Sequence, residues 1–376
     1  MRLLLVTSAS YCPTKGGATR ANRVWLEELA ARGHECMVFA PTSINRELDR
    51  SMVLSQQSEK NLSLNKVLIW PFFKNEGIIP QLSAAISSVP PDFVLVSTED
   101  FGQARLRAVQ RIFSGKIIYL AHTPQFLPFG CESFNPYKKG TQAVEECALV
   151  ITIGQYMREY CQAYLSSNIT VVHPPLYGSP PFRNYGDPAK GFILMINPCS
   201  IKGLPIFLDI ARQCEGLDFA VLPGWGTTSL DIAESKRCGI KILPSPPNID
   251  EVLAQTRVLV VPSLWTEGFG LIVIEAMLRG IPVISSEHGG LTEAKMGTQF
   301  QIPIHPITEY TSDRDERMMP VPVIPRQDIR PWVAALKELT SNETLYTQAS
   351  MEASRAANEF VAKNTSISME ATLTKL

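Results

Sequence analysis

The chain has 376 residues, of which 45% are hydrophobic and 19% charged, and its formal net charge is −1. This length supports two domains with substantial cores, and the composition is typical of a soluble globular protein. The near-zero charge gives no electrostatic basis for nucleic-acid binding, and no apolar run approaches the ~18 residues of a membrane span.

The eight cysteines form no CxxC pair, and several lie within apolar runs. This pattern predicts reduced thiols that pack as small hydrophobic side chains, rather than a disulfide framework or a zinc site. The apolar run near the first residue is too short for a signal peptide. We therefore expect a cytoplasmic protein without a membrane span.

Short apolar runs alternate with amphipathic segments through the first half of the chain. The predicted strands are LLLVTS, HECMVFAP, KVLIW, DFVLVS, KIIYLAH and LVITIG. The predicted helices include ANRVWLEELAARG, GQARLRAVQRIF and QYMREYCQAYL. Continuous apolar strands that alternate with helices favour a parallel sheet covered on both faces. Residues 1–175 are therefore predicted to form one doubly wound α/β domain.

A segment rich in proline and glycine, residues 173–191, interrupts this alternation and is interpreted as an inter-domain linker. The pattern restarts with the predicted strands FILMIN, DFAVLP, GIKILP, RVLVVPS and IPVISS, which gives a second α/β domain over 176–345. Residues 346–376 are predicted to form a C-terminal helix that crosses back to the first domain. Because ligands bind at the carboxyl ends of parallel strands, we expect two such edges to face each other across a cleft.

The stretch SLWTEGFGLIVIEAMLRG, residues 263–280, joins a buried strand to a helix through a turn with two glycines. Amides at a helix start have no partner inside the helix, and together with the helix dipole they favour an anionic or hydroxyl-rich ligand. The amides predicted to contribute are those of Gly268, Phe269, Gly270 and Leu271.

Glu275 stands in the middle of this apolar helix. A buried carboxylate without a partner costs several kcal/mol, so Glu275 requires one. One candidate is Arg279, one turn later, in an ion pair worth ~0.3–0.5 kcal/mol when exposed. The other candidate is the hydroxyl groups of a bound ligand, and the residues alone leave both alternatives open.

Seven residues separate Glu267 from Glu275, and the chain continues as EAMLRGIPVISSEHGGLTE. In this pattern the sequence resembles the nucleotide-sugar signature of the family 4 retaining glycosyltransferases. Further similarity lies in GGATRANRVWLEELAARGHECMVF, AHTP and VITIGQYMREY. The resemblance implies the GT-B fold, in which two doubly wound Rossmann-like domains face each other across a cleft. The first would be the acceptor domain and the second the nucleotide-sugar donor domain.

The resemblance also implies roles for single residues. Glu275 would bind the ribose hydroxyls of the donor, and Glu267 would contact the transferred sugar together with the amides of the glycine turn. Lys202, which precedes a predicted helix, would meet the diphosphate, where a charged hydrogen bond is worth ~1.5–3 kcal/mol. The alternative for Lys202 is a solvated loop lysine.

In the first domain, His122 ends the strand KIIYLAH. A lone histidine at a strand end is usually structural, but the resemblance implies that His122 hydrogen-bonds the donor sugar. With Lys202 and Glu267, it completes the set of residues implied as catalytic. Gly16 and Gly17 would lie in a loop that closes over the diphosphate, with Lys15 as a second positive charge.

One position departs from the family pattern. Most members carry an arginine five residues before the lysine, and this chain has Asn197 there. The change removes one positive charge from the expected phosphate clamp. Asn197 can still donate a hydrogen bond, or Arg20 can compensate from the other domain, and the sequence leaves this question open.

The implied reaction transfers a sugar from a nucleotide diphosphate sugar, with anomeric retention, to a hydroxyl acceptor such as a glycan, a lipid or a small natural product. No cofactor besides this co-substrate is expected. The segment 303–325 is predicted to be an irregular loop, and its Asp313-Arg314-Asp315 sequence is interpreted as a solvated charge run, so we expect metal-independent catalysis. The alternatives are a nucleotide-sugar 2-epimerase and a non-catalytic subunit that binds nucleotide sugar.

The identity of the acceptor is not encoded in a recognisable motif. Aromatic rings suit sugar or polyketide faces, although most of those present also fit a core. The basic helix QARLRAVQR is interpreted as a solvent-exposed face in preference to a peripheral membrane contact. The aromatic candidates for an acceptor pocket are Trp70, Phe72, Phe73, Phe126 and Phe129.

Overall fold

The computed structural model describes residues 1–14, 16–41, 62–73, 77–178, 180–246, 248–364 and 368–376. The chain divides into two compact units. One comprises Met1–Leu176 and Ser366–Leu376, and the other Tyr177–Thr365. Each unit is built around its own sheet of mainly parallel strands.

The first unit contains an eight-stranded sheet. Its strands are β1 Arg2–Val6, β2 Glu35–Pro41, β3 Leu62–Leu64, β4 Val67–Phe72, β5 Phe93–Ser97, β6 Lys116–Ala121, β7 Leu149–Thr152 and β8 Ile169–Val171. Their order is β3-β4-β2-β1-β5-β6-β7-β8, and only the β3–β4 pair is antiparallel among these described strands. Every residue of β5 is buried, as expected for a parallel strand that is covered on both faces.

Five helices connect these strands within the described part of the first unit. They are α1 Gly17–Ala31, α2 Ile78–Ser88, α3 Ala104–Ile112, α4 Lys138–Glu145 and α5 Gln155–Gln162. Helix α1 buries one stripe that includes Trp25, Leu26 and Leu29, which are each 2% exposed. This stripe has the i, i+3, i+4 spacing of a helix that packs on a core with one face.

The second unit contains a six-stranded sheet. Its strands are β9 Phe192–Ile196, β10 Phe219–Leu222, β11 Lys241–Ile242, β12 Thr256–Val261, β13 Val283–Ser286 and β14 Gln301–Ile302. The order is β11-β10-β9-β12-β13-β14, and the pairs are parallel. After β9 the chain moves outward to β10 and β11, and then returns to β12 on the other side of β9. Ligands of open α/β sheets bind at such a reversal of strand order, beyond the carboxyl ends of the strands.

The helices of the second unit are α6 Leu204–Gln213, α7 Ser229–Arg237, α8 Asp250–Leu253, α9 Leu271–Leu278, α10 Gly290–Ala294, α11 Arg330–Ser341 and α12 Glu343–Asn364. Helix α9 is buried from Val273 to Leu278 and packs against α12. Seven of the eight residues of α9 are apolar, as expected for a helix that is buried on nearly all sides. The remaining residue, Glu275, is buried with them.

The prediction of an irregular loop over 303–325 is wrong. Strand β15, Tyr310–Arg314, pairs antiparallel with β16, Pro320–Pro322. The Asp315 carboxylate closes the turn, because Oδ1 accepts hydrogen bonds from the amides of Arg317 at 2.8 Å and Met319 at 2.9 Å. The prolines suggest a loop, but both strands of this two-stranded sheet are edge strands, where proline is tolerated.

The C-terminal segment also differs from the predicted single helix over 346–376. Helix α12 ends at Asn364, and a second helix, α13 Met369–Leu373, belongs to the first unit. Ser368 begins α13, since its Oγ accepts a hydrogen bond from the amide of Ala371 at 3.1 Å. The Glu370 carboxylate then pairs with His34 and Arg32 of the first unit, each at 2.8 Å.

All eight cysteines carry free thiols, and five of them are buried as small apolar groups. Burial raises the pKa of the Cys36, Cys147, Cys161 and Cys199 thiols to about 12 in each case. Within the described part of the chain, no helix combines the length and the apolar character that crossing a membrane requires.

Lys295, at the end of α10, is a buried amine that the sequence patterns do not reveal. It is 2% exposed, and its Nζ donates to the Val283 carbonyl oxygen at 2.6 Å. Burial lowers the pKa of Lys295 to about 7, although the nearby Glu352 carboxylate opposes the shift. The folded state therefore holds this proton less tightly than the unfolded state does.

We predict that Lys295→Met flattens the dependence of stability on pH between about 7 and 10. In this window the unfolded wild type binds up to one proton more than the folded form, so its free energy of unfolding rises with pH by up to about 1.4 kcal/mol per unit. The measurement is denaturant unfolding of both proteins at pH 7, 8 and 9. The exposed Lys236 provides the control variant Lys236→Met, and equal slopes for wild type and Lys295→Met would contradict the prediction.

Candidate functional site

The two loops that follow β9 and β12 touch each other at the strand reversal. The Ile201 carbonyl oxygen accepts hydrogen bonds from the amides of Leu264 at 3.0 Å and Trp265 at 3.1 Å. Gly203 has φ of 82°, and a Cβ atom there would lie 1.9 Å from the Pro262 carbonyl oxygen. Only glycine fits this close approach, which fixes the two loops against each other.

This contact brings Lys202 and Glu267 together. The Lys202 Nζ donates to Glu267 Oε1 at 2.6 Å, and the Ser263 hydroxyl donates to the same oxygen at 2.6 Å. The two charged side chains are 14% and 17% exposed. Lys202 is therefore not the solvated loop lysine of the alternative interpretation.

The electrostatics of this pair are set by burial and by charge. Burial alone would raise the pKa of Glu267, but the Lys202 ammonium and the hydrogen bonds from Lys202 and Ser263 lower it below its usual value. The Lys202 ammonium also lies 4.2 Å from the ring centroid of Trp265 and 6.0 Å from that of Trp225. Two indole rings thus support the same cation, a contact that the sequence analysis missed.

Asn197, the departure from the family pattern, follows β9 directly. It is 7% exposed and has a φ of 57°, in the left-handed region. Its Oδ1 accepts hydrogen bonds from the Gly226 amide at 2.9 Å and the Thr227 hydroxyl at 3.4 Å. Its Nδ2 is buried and has no acceptor among the described residues. Hydrogen bonds to Oδ1 therefore hold the Asn197 amide, and the N–H groups of Nδ2 remain available as donors.

Glu275 lies on α9 and is 3% exposed. The carboxylate that pairs with Arg279 in the described structure is that of Asp250, the first residue of α8. Arg279 also donates from Nη1 to the backbone oxygen of Glu275 at 3.0 Å. The partner of Arg279 therefore comes from a distant part of the chain, which no helical spacing reveals.

Tyr177 is a further buried group near this helix. It is 5% exposed, and its hydroxyl has no hydrogen-bond partner among the described residues. Burial raises the pKa of Tyr177, and the negative charges of Glu275 and Glu293 raise it further. The tyrosine therefore stays protonated and keeps a donor in this part of the second unit.

The glycine turn packs against the start of α10. The Gly290 amide donates to the Glu267 carbonyl oxygen at 2.8 Å, and a Cβ at Gly290 would lie 2.5 Å from the Gly268 oxygen. The ring of Phe269 is 1% exposed and stacks on Phe360 of α12 at 5.7 Å. Phe269 is thus a core residue by its side chain, and only its backbone belongs to the turn. The two other predicted contributors are Gly270, with φ of 114°, and Leu271, the first residue of α9.

In the first unit, His122 follows β6 and is 2% exposed. Its Nε2 lies 2.7 Å from Oδ1 of Asn22, whose Nδ2 donates to the Ser97 hydroxyl at 2.8 Å, and Ser97 donates to the Glu99 carboxylate. This chain assigns the proton to Nε2 and leaves Nδ1, which has no partner among the described residues, as an acceptor. Burial lowers the pKa of His122, against an opposing effect of Glu99, so the ring is neutral at neutral pH.

The remaining predicted residues of the first unit are placed as follows. Gly16, with φ of 97°, precedes α1, and Gly17 is the first residue of that helix. The Arg20 guanidinium donates to the Leu176 carbonyl oxygen at 3.4 Å, and Lys15 lies outside the described residues. Among the aromatic candidates, Phe72 and Phe129 are buried, whereas Trp70, Phe73 and Phe126 are partly exposed.

The candidate site therefore brings together Lys202 and Glu267 in the second unit, and Asn197 is connected to them through the loop that carries Trp225, Gly226 and Thr227. In the described part of the chain, no group of three or more histidine, cysteine, aspartate or glutamate side chains has a metal-binding arrangement. The Asp313 and Arg314 side chains are exposed on β15.

Comparison with known proteins identifies the chain. The model for Glycosyltransferase Family 4 matches residues 15–176, and the model for Glycosyl transferases group 1 matches residues 236–295. Together these stretches cover more than half of the chain. An alpha-1,3/1,6-mannosyltransferase, alg-2 of Neurospora crassa, is 40% identical over 52 residues. That match spans 14% of this chain and 11% of the relative, so it concerns one segment only.

Solved structures share the fold over nearly the whole length. The sucrose-phosphate synthase of Thermosynechococcus elongatus has a TM-score of 0.70 at 13% identity, covering 97% of this chain and 98% of that one. Anabaena Alr3699/HepE in complex with UDP and glucose has a TM-score of 0.67 at 15% identity, with both chains covered completely. TarM has a TM-score of 0.66 at 11% identity, covering 100% of this chain and 98% of that one.

The predicted family and fold are thereby confirmed. The chain belongs to the family 4 glycosyltransferases, and it is a glycosyl-transferring enzyme of the GT-B fold.

Proposed function

We propose that this enzyme transfers a sugar from a nucleoside diphosphate sugar to a hydroxyl acceptor, with retention at the anomeric carbon and without a metal ion. The observation that carries the proposal is the Lys202–Glu267 contact at 2.6 Å, at the reversal of strand order. A cation and a carboxylate held side by side match a ligand that joins an anionic diphosphate to a hydroxylated ring.

The diphosphate is the leaving group and gathers negative charge as the glycosidic bond breaks. Lys202 stabilises this charge where it develops. Cation–π contacts with the rings of Trp225 and Trp265 keep its ammonium in place. Asn197 adds a neutral donor through Nδ2, in the position where the resemblance to the family implies an arginine. Lys202 is then the principal cation of this clamp, which is why no metal ion is invoked for it.

The carboxylates take the hydroxyl groups of the donor. Glu267 accepts hydrogen bonds from the transferred sugar, and its low pKa keeps it ionised and therefore an acceptor at neutral pH. Glu275, one turn into α9, accepts from the ribose. Its two carboxylate oxygens can accept hydrogen bonds from the two hydroxyl groups of a vicinal diol.

His122 acts on the sugar as a neutral acceptor rather than as a strong base. Its Nε2 proton is used in the contact with Asn22, so Nδ1 is the atom that accepts a hydrogen bond from a sugar hydroxyl. The Glu267 carboxylate is ion-paired with the Lys202 ammonium. Glu267 is therefore not placed to act as a nucleophile. We therefore propose attack from the face of the leaving group, with a phosphate oxygen taking the acceptor proton.

The first experiment identifies which nucleotide sugar the enzyme binds. Alr3699/HepE has been solved with UDP-glucose, and the relative that matches one segment is a mannosyltransferase, so UDP-glucose and mannose donors lead the panel. Wild-type protein is screened in thermal shift with UDP-, GDP-, ADP- and dTDP-sugars, because a ligand that binds the folded state raises its melting temperature.

We predict that the product keeps the anomeric configuration of the donor. The configuration is read from the anomeric proton of the isolated product by NMR after incubation with the donor and a panel of hydroxyl acceptors. Inversion at this carbon would refute the retaining mechanism. A nucleotide-sugar isomer formed without any acceptor would point instead to a 2-epimerase.

We predict that Glu275→Gln and Glu267→Gln each lower kcat/KM for the donor by about a hundredfold, equal to about 2.7 kcal/mol. Glu275→Gln acts mainly through the donor KM, because the ribose is bound in both ground state and transition state. Glu267→Gln acts mainly through kcat, since it changes the contact with the reacting sugar. Steady-state kinetics on purified variants measure both effects.

The control for these variants is Glu251→Gln, on the exposed side of α8. It should leave both constants within a factor of two. Melting temperatures of all three variants establish that folding is retained. A Glu275→Gln enzyme that is folded and has the wild-type KM would show that Glu275 does not bind the donor.

A further inference from the structure

The tip of the β15–β16 hairpin is bonded to the loop that follows β10. The Glu316 carboxylate accepts from the Ser229 amide at 2.8 Å and from its hydroxyl at 2.7 Å. The Arg317 guanidinium donates twice to the Thr227 carbonyl oxygen, at 2.9 and 2.7 Å. The two Arg317 bonds thus fix Thr227 at the end of this loop, and the two Glu316 bonds fix Ser229, the first residue of α7.

These bonds are not needed to begin α7. Thr228 already caps that helix, because its hydroxyl accepts from the Asp231 amide at 3.1 Å and the Asp231 carboxylate accepts from the Thr228 amide at 2.7 Å. This reciprocal arrangement is a complete capping box. The hairpin tip therefore adds a second restraint to a helix start that is already stabilised.

The same loop is held from its other side by Asn197. Oδ1 of Asn197 accepts from the Gly226 amide at 2.9 Å and the Thr227 hydroxyl at 3.4 Å. The Thr227 hydroxyl in turn accepts from the Gly224 amide at 2.9 Å. Thr227 is 2% exposed and connects both restraints, since its hydroxyl faces Asn197 while its carbonyl oxygen receives Arg317. A shift of Thr227 would weaken one of the two hydrogen bonds that hold the Asn197 oxygen.

Trp225 stands at the centre of this loop and contacts the candidate site. Its ring centroid lies 5.8 Å from that of Trp265 and 6.0 Å from the Lys202 ammonium. The loop therefore determines two features at once, namely the direction of the Asn197 Nδ2 donor and one aromatic wall beside Lys202.

We propose that Glu316 and Arg317 are positioning residues for the donor diphosphate, because Arg317 holds Thr227 in the Gly224–Thr228 loop and Glu316 holds Ser229, which directly follows that loop. The tip fixes Thr227, Thr227 and Gly226 orient Asn197, and Trp225 confines Lys202. This role rests on the proposed function above. An Asn197 amide that cannot rotate away is a neutral donor preorganised for the phosphate.

Positioning can be separated from simple electrostatics through Glu316. Its carboxylate is negative, so its removal should leave diphosphate affinity unchanged or improve it if long-range charge alone decides. If Glu316 acts by holding the loop, its removal should weaken binding. Arg317 gives no such contrast, since both explanations predict a loss when a cation is removed.

The experiment titrates UDP, GDP, ADP and dTDP into the purified full-length chain by isothermal calorimetry, and follows the tightest binder with the variants. We expect Glu316→Ala and Arg317→Ala each to raise Kd by about five- to tenfold, equal to about 1.0–1.4 kcal/mol. Glu316→Gln, which keeps an acceptor oxygen and loses the charge, should recover most of the affinity. Arg314→Ala is the matched control, because Arg314 lies on the same hairpin and, among the described residues, donates to the Met318 carbonyl oxygen at 3.1 Å and not to the loop after β10.

Two further readouts separate positioning from a general loss of structure. The donor KM should rise in Glu316→Ala while the KM of the acceptor stays constant, and amide hydrogen exchange should become faster in a peptide that covers residues 223–229. Wild-type binding with an unchanged or tighter Kd in Glu316→Ala would overturn the positioning role alone. A wild-type chain that binds none of the four nucleotides would overturn the proposed function and this role with it.

Discussion

The site depends on one backbone contact between two loops that are far apart in sequence. The Ile201 carbonyl oxygen receives the amides of Leu264 and Trp265, and Gly203 allows the Pro262 carbonyl oxygen to come close. Both loops leave neighbouring parallel strands at the strand reversal, so the sheet brings them near and the hydrogen bonds set their register. Without that register, Lys202 and Glu267 would be two separate buried charges, and each would carry its own desolvation cost.

The sheets were largely predictable because a parallel strand buried on both faces is a continuous apolar run. The runs LLLVTS, DFVLVS and RVLVVPS correspond to β1, β5 and β12. Strands β3, β8 and β14, with three or two residues, were not predicted, whereas the equally short β11 was, because β11 lies within the longer strand-like run GIKILP. The β15–β16 hairpin was missed for a different reason. Its prolines and charges suggest a loop, and its stability comes from the Asp315 turn and from contacts to another loop.

The site was predictable only where a family motif marks it. Glu267, Glu275 and Lys202 lie in stretches that resemble family motifs. The sequence did not predict that Glu267 and Lys202 contact each other. Trp225 and Asp250 lie outside the motif, and their contacts with Lys202 and Arg279 arise from tertiary packing. The sequence alternative of a Glu275–Arg279 helix pair rested on i+4 spacing alone. Spacing indicates which side chains can meet on one helix, but it carries no information about a better partner from elsewhere.

The pairing of Lys202 with Glu267 has a consequence for ligand discrimination. The pair is neutral as a unit, so it offers no net attraction to a small anion such as inorganic phosphate, which would have to compete with Glu267 for the ammonium. A ligand that carries both a diphosphate and a hydroxylated ring can engage the cation and the carboxylate together. In the proposed function the complete donor engages both residues, whereas a nucleoside diphosphate engages only the ammonium of this pair and depends on Glu275 and its ribose for the rest of its binding. This arrangement would keep the site from being occupied by abundant free phosphates.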